Sequence, residues 1–415
     1  MKKNWRKNIL YDNARTVIKY FKSNISREKR VKNKEINMVF LCSRANVWNS
    51  VKSVYDSAVK SENIKVYLIA LPPYKNGELD TESNINYEFC KKNNPETIQA
   101  YNRETGEYFD IRKLSPDYIV YPTPYSVEFP ECYSFKNTSK ISKLCYISYG
   151  YSLVKSKMQK ITVMPEIMSY VSYIFVCNNI IYNYYKKRMF LSEMINGKRL
   201  YNIGFPRFDL YKNISLEKKN NKTTIMWMPR WTTLLDEKKD GNEPSSFFEV
   251  KDEILRYTDE NPNINLIIRP HPKAFENYVK HGMMTLDEVN DYKKRIGQMS
   301  NAILDDDPDY YGKLISADVL VADFTSVIAE FFVTGKPIVY LGNGNNYPRE
   351  HRVMYNSFYH ADSWKSAERT LNALIDGNDT KKQQRVKAVK DFIKRKPKNV
   401  GQHIIEILTR DYYKK

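Results

Sequence analysis

Cysteine is scarce in this chain and poorly spaced for chemistry. The five present, Cys42, Cys90, Cys132, Cys145 and Cys177, are odd in number and contain no CxxC pair. That argues against a disulfide framework and against a structural zinc site, so they read as reduced, mostly core thiols. No stretch approaches the roughly 18 unbroken apolar residues that suggest a transmembrane helix. The basic N-terminus has neither the apolar core nor the small-residue cleavage site of a secretory signal, and the chain is expected to stay in the cytoplasm. RNP, KH and helix-turn-helix patterns are all missing, so nucleic acid is not the expected partner. Histidine is nearly missing too: there are five in 415 residues.

Positive charge is abundant. The formal net charge is +19, and residues 1–34 carry twelve Lys or Arg against two acids. Within that segment Leu10, Ala14, Val17, Ile18, Phe21 and Ile25 recur at helical spacing beside Arg15, Lys19 and Lys22. One reading is a basic amphipathic helix lying on an anionic membrane surface. The other is a solvated helix packed on the domain by its apolar stripe.

Downstream, strand and helix patterns alternate. INMVFLC (36–42) reads as a buried strand, the next stretch as a helix through Val47, Val51, Val54 and Ala58, and KVYLIALPPY (65–74) as a second strand. That is the beginning of a parallel sheet. Further strands are expected at 118–122, 144–148, 173–177 and 200–205, with 76–116 an insertion or long surface loop. The polar segment 213–222 reads as a linker, after which alternation resumes with strands at 223–229, 265–270, 302–305, 318–323 and 337–342. Two helices are expected over 363–412. The resulting scheme is α/β: a helix over 1–34, a Rossmann-like domain over 35–212, a linker, a second doubly wound domain over 223–362, and C-terminal helices over 363–415 that could cross back to the first domain. Ligands of such sheets bind at the carboxyl ends of the strands.

Several stretches after strands share a chemical character. MPRWTT places Arg230 and Thr232 behind one strand, RPHPK places Arg269, His271 and Lys273 behind another, and ADFTSVIAE places Asp323, Thr325 and Ser326 behind a third. Cations and hydroxyls at strand ends describe an anion site. Thr325 and Ser326 open a helix whose first N–H groups would face the same anion, although a plain capping role for Thr325 fits as well. His271 stands between two prolines that fix the local backbone. With Arg269 it could hold a diphosphate and hydrogen-bond to a leaving oxygen. The acidic run DDDPD (305–309) reads as a solvated turn, not as a metal site.

TTIMWMPRWTT, NLIIRPHP, NIGFPRFD and YYGKLISADVLVADFTSVIAEFFVTGKPIVYL resemble the CDP-glycerol glycerophosphotransferase family, the teichoic acid primases and polymerases of Gram-positive bacteria. The resemblance spans about residues 140–345. It implies a GT-B-like architecture of two Rossmann-like domains facing across a cleft, with the nucleotide donor mainly on the C-terminal one. It also implies peripheral work at the inner face of the membrane. Arg269, His271, Thr325 and Ser326 become donor-phosphate ligands, supported by Asp323 and Arg230. In the acceptor domain the family carries WHGTPLK, whose histidine is its proposed base. Here the place reads YISYGYSLVKSK (146–157), so Tyr149 stands at the catalytic position of that histidine, while Gly150 and Lys155 roughly keep their places. Either the base is elsewhere, or Tyr149 binds without abstracting a proton, or the substrates differ from those of the teichoic acid enzymes. Gly150, Lys155 and Arg207 are acceptor-side candidates.

The implied reaction moves an alditol phosphate from a CDP-activated donor to a hydroxyl of a lipid-linked or polymeric surface glycan, teichoic acid or capsule precursor, releasing CMP. No metal or other cofactor is expected. A nucleotide-sugar glycosyltransferase on the same fold would leave a nucleoside diphosphate. A non-catalytic protein that binds anionic polymer or membrane would turn nothing over.

Overall fold

The seven residues INMVFLC form strand β1 (Ile36–Cys42), buried along almost its whole length. The apolar run from Met38 to Cys42 suits a parallel strand covered on both faces. In the computed structural model, which describes residues 2–27, 34–75, 77–153, 164–211, 214, 222–233, 245–342, 347, 349–393 and 399–414, that is its situation.

The chain forms two units. One takes in the described residues of Met1–Ser152, Ser156–Leu210 and Lys396–Lys415, the other those of Leu153–Lys155 and Tyr211–Arg395. In the first, helix α1 (Lys2–Ser26) precedes β1, α2 (Lys52–Val59), β2 (Ile64–Ala70), α3 (Ile85–Asn93) and β3 (Ile98–Gln99). There follow β4 (Tyr118–Tyr121), β5 (Lys143–Ile147), α4 (Pro165–Tyr170), β6 (Tyr173–Val176), α5 (Asn179–Asn196) and β7 (Leu200–Asn202). The strands lie in the order β7-β6-β5-β4-β1-β2-β3, every pair parallel. Alternation along β1 divides the core. Met38, Phe40 and Cys42 join one apolar cluster, and Val39 and Leu41 join the other. The 76–116 stretch, expected as an insertion or long surface loop, supplies α3, the edge strand β3, one short antiparallel hairpin over Tyr101–Tyr108 and the second strand of another that starts at Tyr74.

Helix α1 docks in an unexpected sense. Among its described side chains the buried ones are Asn13, Thr16, Tyr20 and Ser23. Asn13 donates to the Lys187 carbonyl at 2.9 Å and accepts from the Leu191 N–H at 3.1 Å. Asp12 pairs with Arg188 at 3.1 Å, and the Arg199 guanidinium lies 3.4 Å from the Tyr20 ring centroid. The apolar residues face outward: Ile18, Phe21 and Ile25 are 55%, 49% and 67% exposed. The helix therefore packs by its polar side, and packing by an apolar stripe is ruled out.

The second unit runs β8 (Thr223–Met228), α6 (Phe247–Glu260), β9 (Ile264–Ile268), α7 (Ala274–Lys280), α8 (Leu286–Gln298), β10 (Ala302–Leu304) and α9 (Tyr311–Ser316). It continues through β11 (Val319–Ala322), α10 (Val327–Phe332), β12 (Ile338–Leu341), α11 (Arg352–Asn356), β13 (Tyr359–Ala361), α12 (Trp364–Ile375) and α13 (Lys382–Ile393). Its parallel sheet has the order β10-β9-β8-β11-β12-β13. Most of the stretch expected as a linker lies outside the described residues.

Among the described residues three helices, not two, occupy the C-terminal region, the last being α14 (Val400–Tyr413). Helices α12 and α13 belong to the second unit, whereas α14 packs on α2 in the first. Asp209 receives its N-terminus: one carboxylate oxygen accepts from the Val400 N–H at 3.1 Å, the other from the Gly401 N–H at 2.8 Å and the Ser53 hydroxyl at 2.6 Å. An acid at this point satisfies orphan donors and faces the positive end of the helix dipole. The approach is so close that a Cβ on Gly401 would lie 2.4 Å from the Ser53 carbonyl oxygen. Gly401→Ala is therefore expected to cost about 2 kcal/mol or more, read as a lowered thermal unfolding midpoint. An unchanged midpoint would contradict this account of the docking.

Candidate active site

In the second unit the chain leaves β8, β9 and β11 at the same end of the sheet. Asp323, the first residue beyond β11, is buried and ties the β8 exit to its own. Its Oδ1 accepts from the Arg230 N–H at 2.8 Å. Its Oδ2 accepts from the Ser246 N–H at 2.9 Å and from the hydroxyls of Ser245 and Ser246 at 3.0 and 3.1 Å. One carboxylate thus pins the segment after β8 and the entry to α6 onto the end of β11. Burial pushes its pKa up to about 6, against the lowering effect of its hydrogen bonds and the Arg230 charge. At neutral pH it is the ionised acceptor that four donors require.

Two arginines stand just past these strand ends. The Arg230 guanidinium lies over the Phe324 ring at 5.0 Å, and its carbonyl accepts from the Tyr278 hydroxyl. Arg269, just past β9, is buried. It pairs with Asp305 at 2.5 Å and lies 4.6 Å from the Tyr310 ring centroid. Asp305 also receives Lys313. Its burial opposes ionisation, yet Lys313 and Arg269 hold its pKa below the ordinary carboxylate value. The reading of 305–309 as a solvated turn is therefore corrected at Asp305, which is a buried counter-ion that orients Arg269. Tyr310 in turn donates to Glu330 of α10 at 3.1 Å, and Tyr211 donates to the same carboxylate at 2.8 Å.

His271 lies open to solvent on one side. Desolvation by the surrounding protein, followed by the charges of Lys273 and Arg230, pushes its pKa down to about 4. The ring is consequently neutral at pH 7. The Lys273 N–H donates to Nδ1 at 3.2 Å, so the ring proton resides on Nε2, available to an incoming oxygen. Thr325 and Ser326 precede α10. Ser326 is exposed and makes no side-chain capping bond.

The first-unit candidates are distributed differently. Tyr149 follows β5, and its hydroxyl lies 2.8 Å from that of Tyr125. The Gly150 carbonyl accepts from the Cys177 thiol at 3.5 Å, and Arg207 is buried in the helical turn Pro206–Tyr211. Lys155 lies outside the described residues. Among the described residues no three His, Cys, Asp or Glu side chains gather as a metal-binding group. Sequence reasoning missed Ser245, Ser246, Tyr310, Lys313 and Glu330. Only the charge of Lys313 and Glu330 carried a signal, and a charge on a helix ordinarily reads as a solvated face.

Residues 147–409 match the profile of a family described as CDP-Glycerol:Poly(glycerophosphate) glycerophosphotransferase. No curated protein matches the sequence. Among solved structures, the wall teichoic acid polymerase TagF is similar with a TM-score of 0.53 at 17% identity, over 98% of this chain and 98% of that one. UDP-GlcNAc 2-epimerase from Neisseria meningitidis, bound to UDP-GlcNAc, is similar with a TM-score of 0.52 at 10% identity, over 91% and 100%. These likenesses concern the fold, which is α/β and GT-B-like.

Proposed function

The chain belongs to the CDP-glycerol:poly(glycerophosphate) glycerophosphotransferase family, and from that premise we propose how its second unit handles the donor. The family reaction takes glycerol phosphate from CDP-glycerol. An acceptor hydroxyl oxygen forms a bond to the β-phosphorus, the bond from that phosphorus to the bridging oxygen breaks, and CMP departs with the bridging oxygen. The acceptor proton passes to solvent. The chief demand is to stabilise negative charge on the phosphates and the leaving oxygen. The observation that carries the assignment is the Asp323 clamp, which brings Arg230 and the α6 entry to the strand end from which Thr325 and Ser326 lead into α10. In this reading Arg269, aimed by Asp305, and Arg230 supply fixed positive charge, and Thr325 and Ser326 donate to phosphate oxygens. The Nε2–H of His271 meets the leaving oxygen. The fixed cations take the part a divalent metal would otherwise play.

The acceptor is a poly(glycerophosphate) or a related lipid-linked chain, and the place of work is the membrane surface. No described helix is long and apolar enough to cross a membrane. What supports surface attachment is the outward apolar side of α1, beside Arg15, Lys19 and Lys22. Exposed Phe190, Leu191, Met194 and Ile195 on the neighbouring α5 add to it.

Two outcomes are expected. His271→Ala should lower turnover of CDP-glycerol about 100-fold, with CMP as the nucleotide product in wild type by phosphorus NMR. A nucleoside diphosphate product would instead indicate a glycosyltransferase. In sedimentation with vesicles containing anionic lipid, wild type should bind and the Ile18→Glu, Phe21→Glu double variant should remain in the supernatant. Equal binding by both would exclude α1 as the anchor.

A further inference from the structure

Arg44, Tyr125 and Tyr149 take no part in the donor arrangement above, yet the first sheet brings them together. Each follows a different strand: β1, β4 and β5 respectively. These strands are neighbours in the order β5-β4-β1 and run parallel, so all three residues emerge at one end of the sheet. From β1 the chain moves to β2 on one side, and it later returns to place β4 on the other. The point where strand order reverses lies between β1 and β4, which is where open parallel sheets bind ligands.

The local chemistry is that of a prepared anion and hydroxyl site. Glu128 is a buried acid whose oxygens are committed. Oε1 pairs with Arg44 Nη2 at 2.6 Å, and Oε2 accepts from the Thr123 hydroxyl at 2.7 Å and the Ser43 hydroxyl at 3.1 Å. This carboxylate aims the guanidinium, which lies 5.5 and 5.7 Å from the ring centroids of Tyr125 and Tyr149. The Arg44 side chain keeps 31% of its surface exposed, so the guanidinium stays open to a bound anion. The two phenol oxygens are 2.8 Å apart, so one O–H donates to the other and a single phenolic proton is left to give. Burial, then the neighbouring Tyr149, pushes the pKa of Tyr125 up, so Tyr125 holds its proton at neutral pH.

We propose that Arg44, Tyr125 and Tyr149 form the acceptor subsite, built for the end of an alditol phosphate chain. Arg44 binds the phosphodiester nearest the terminus, and the phenolic pair holds the terminal hydroxyl. Here the phenol positions the hydroxyl by a hydrogen bond and does not act as a base. A phosphoryl transfer that leans on positioning and electrostatics tolerates this. The proposal rests on the glycerophosphotransferase reading of the chain.

The test is calorimetric titration of the full chain with a short synthetic oligo(glycerol phosphate), with glycerol and with CDP-glycerol, alongside steady-state kinetics. Wild type should bind the oligomer and show no comparable binding of glycerol. Arg44→Gln should weaken oligomer binding about tenfold or more, Arg44→Lys should recover part of it, and neither should alter CDP-glycerol affinity. Tyr149→Phe, which removes one oxygen, should raise KM for the acceptor and leave that for CDP-glycerol unchanged. It decides the matter if Arg44→Gln fails to fold. Failure of wild type to bind the oligomer, unchanged binding in the variants, or a parallel loss of CDP-glycerol affinity would overturn the proposal. Oligomer binding that depends on Arg44, with no CMP formed from CDP-glycerol, would uphold the subsite and overturn the donor reading instead.

Discussion

The carboxylate of Asp323 is the constraint on which the proposed donor side depends. Four donors from Arg230, Ser245 and Ser246 converge on it, and without it the exit of β8 and the entry to α6 would have no common anchor at the end of β11. Its ionisation has a cost. A folded-state pKa of about 6 against the ordinary value of 3.8 means that the folded chain holds this proton more firmly than the unfolded one. This group's contribution therefore favours folding less as pH rises from about 4 to about 6. The site accepts that cost because only the charged carboxylate can receive all four donors.

The two units use the same device, once each. Arg269 follows a strand, is oriented by the buried carboxylate of Asp305 and lies on the ring of Tyr310. Arg44 follows a strand, is oriented by the buried carboxylate of Glu128 and lies over Tyr125 and Tyr149. In each case a buried acid restrains the long arginine side chain before any ligand arrives. Less rotamer freedom remains to be lost on binding, and the planar donor fork is already aimed.

The elements that sequence reasoning recovered were those written as local patterns. MVFLC within the first strand and VLVA within β11 declare buried parallel strands by their apolar runs, and the residues just beyond them are chemically legible because ligands of such sheets bind at strand ends. What stayed hidden depends on tertiary partners. Asp305 sits in an acidic run that reads as solvated, and only the approach of Arg269 and Lys313 makes it a counter-ion. Helix α1 shows an apolar stripe at correct spacing, but the stripe does not reveal that Asn13 and Tyr20 on another side make the contact with α5 and Arg199. Arg44 and Glu128 lie far apart in the chain, with nothing in spacing to connect them.

The most direct test of the account is calorimetric titration of CDP-glycerol into wild type and Asp323→Asn. The amide keeps the shape but turns an N–H group toward donors that need an acceptor. The account predicts at least about a tenfold loss of CDP-glycerol affinity, equivalent to about 1.4 kcal/mol, in a chain that remains folded. Undiminished affinity in a folded Asp323→Asn variant would contradict it and place the donor elsewhere.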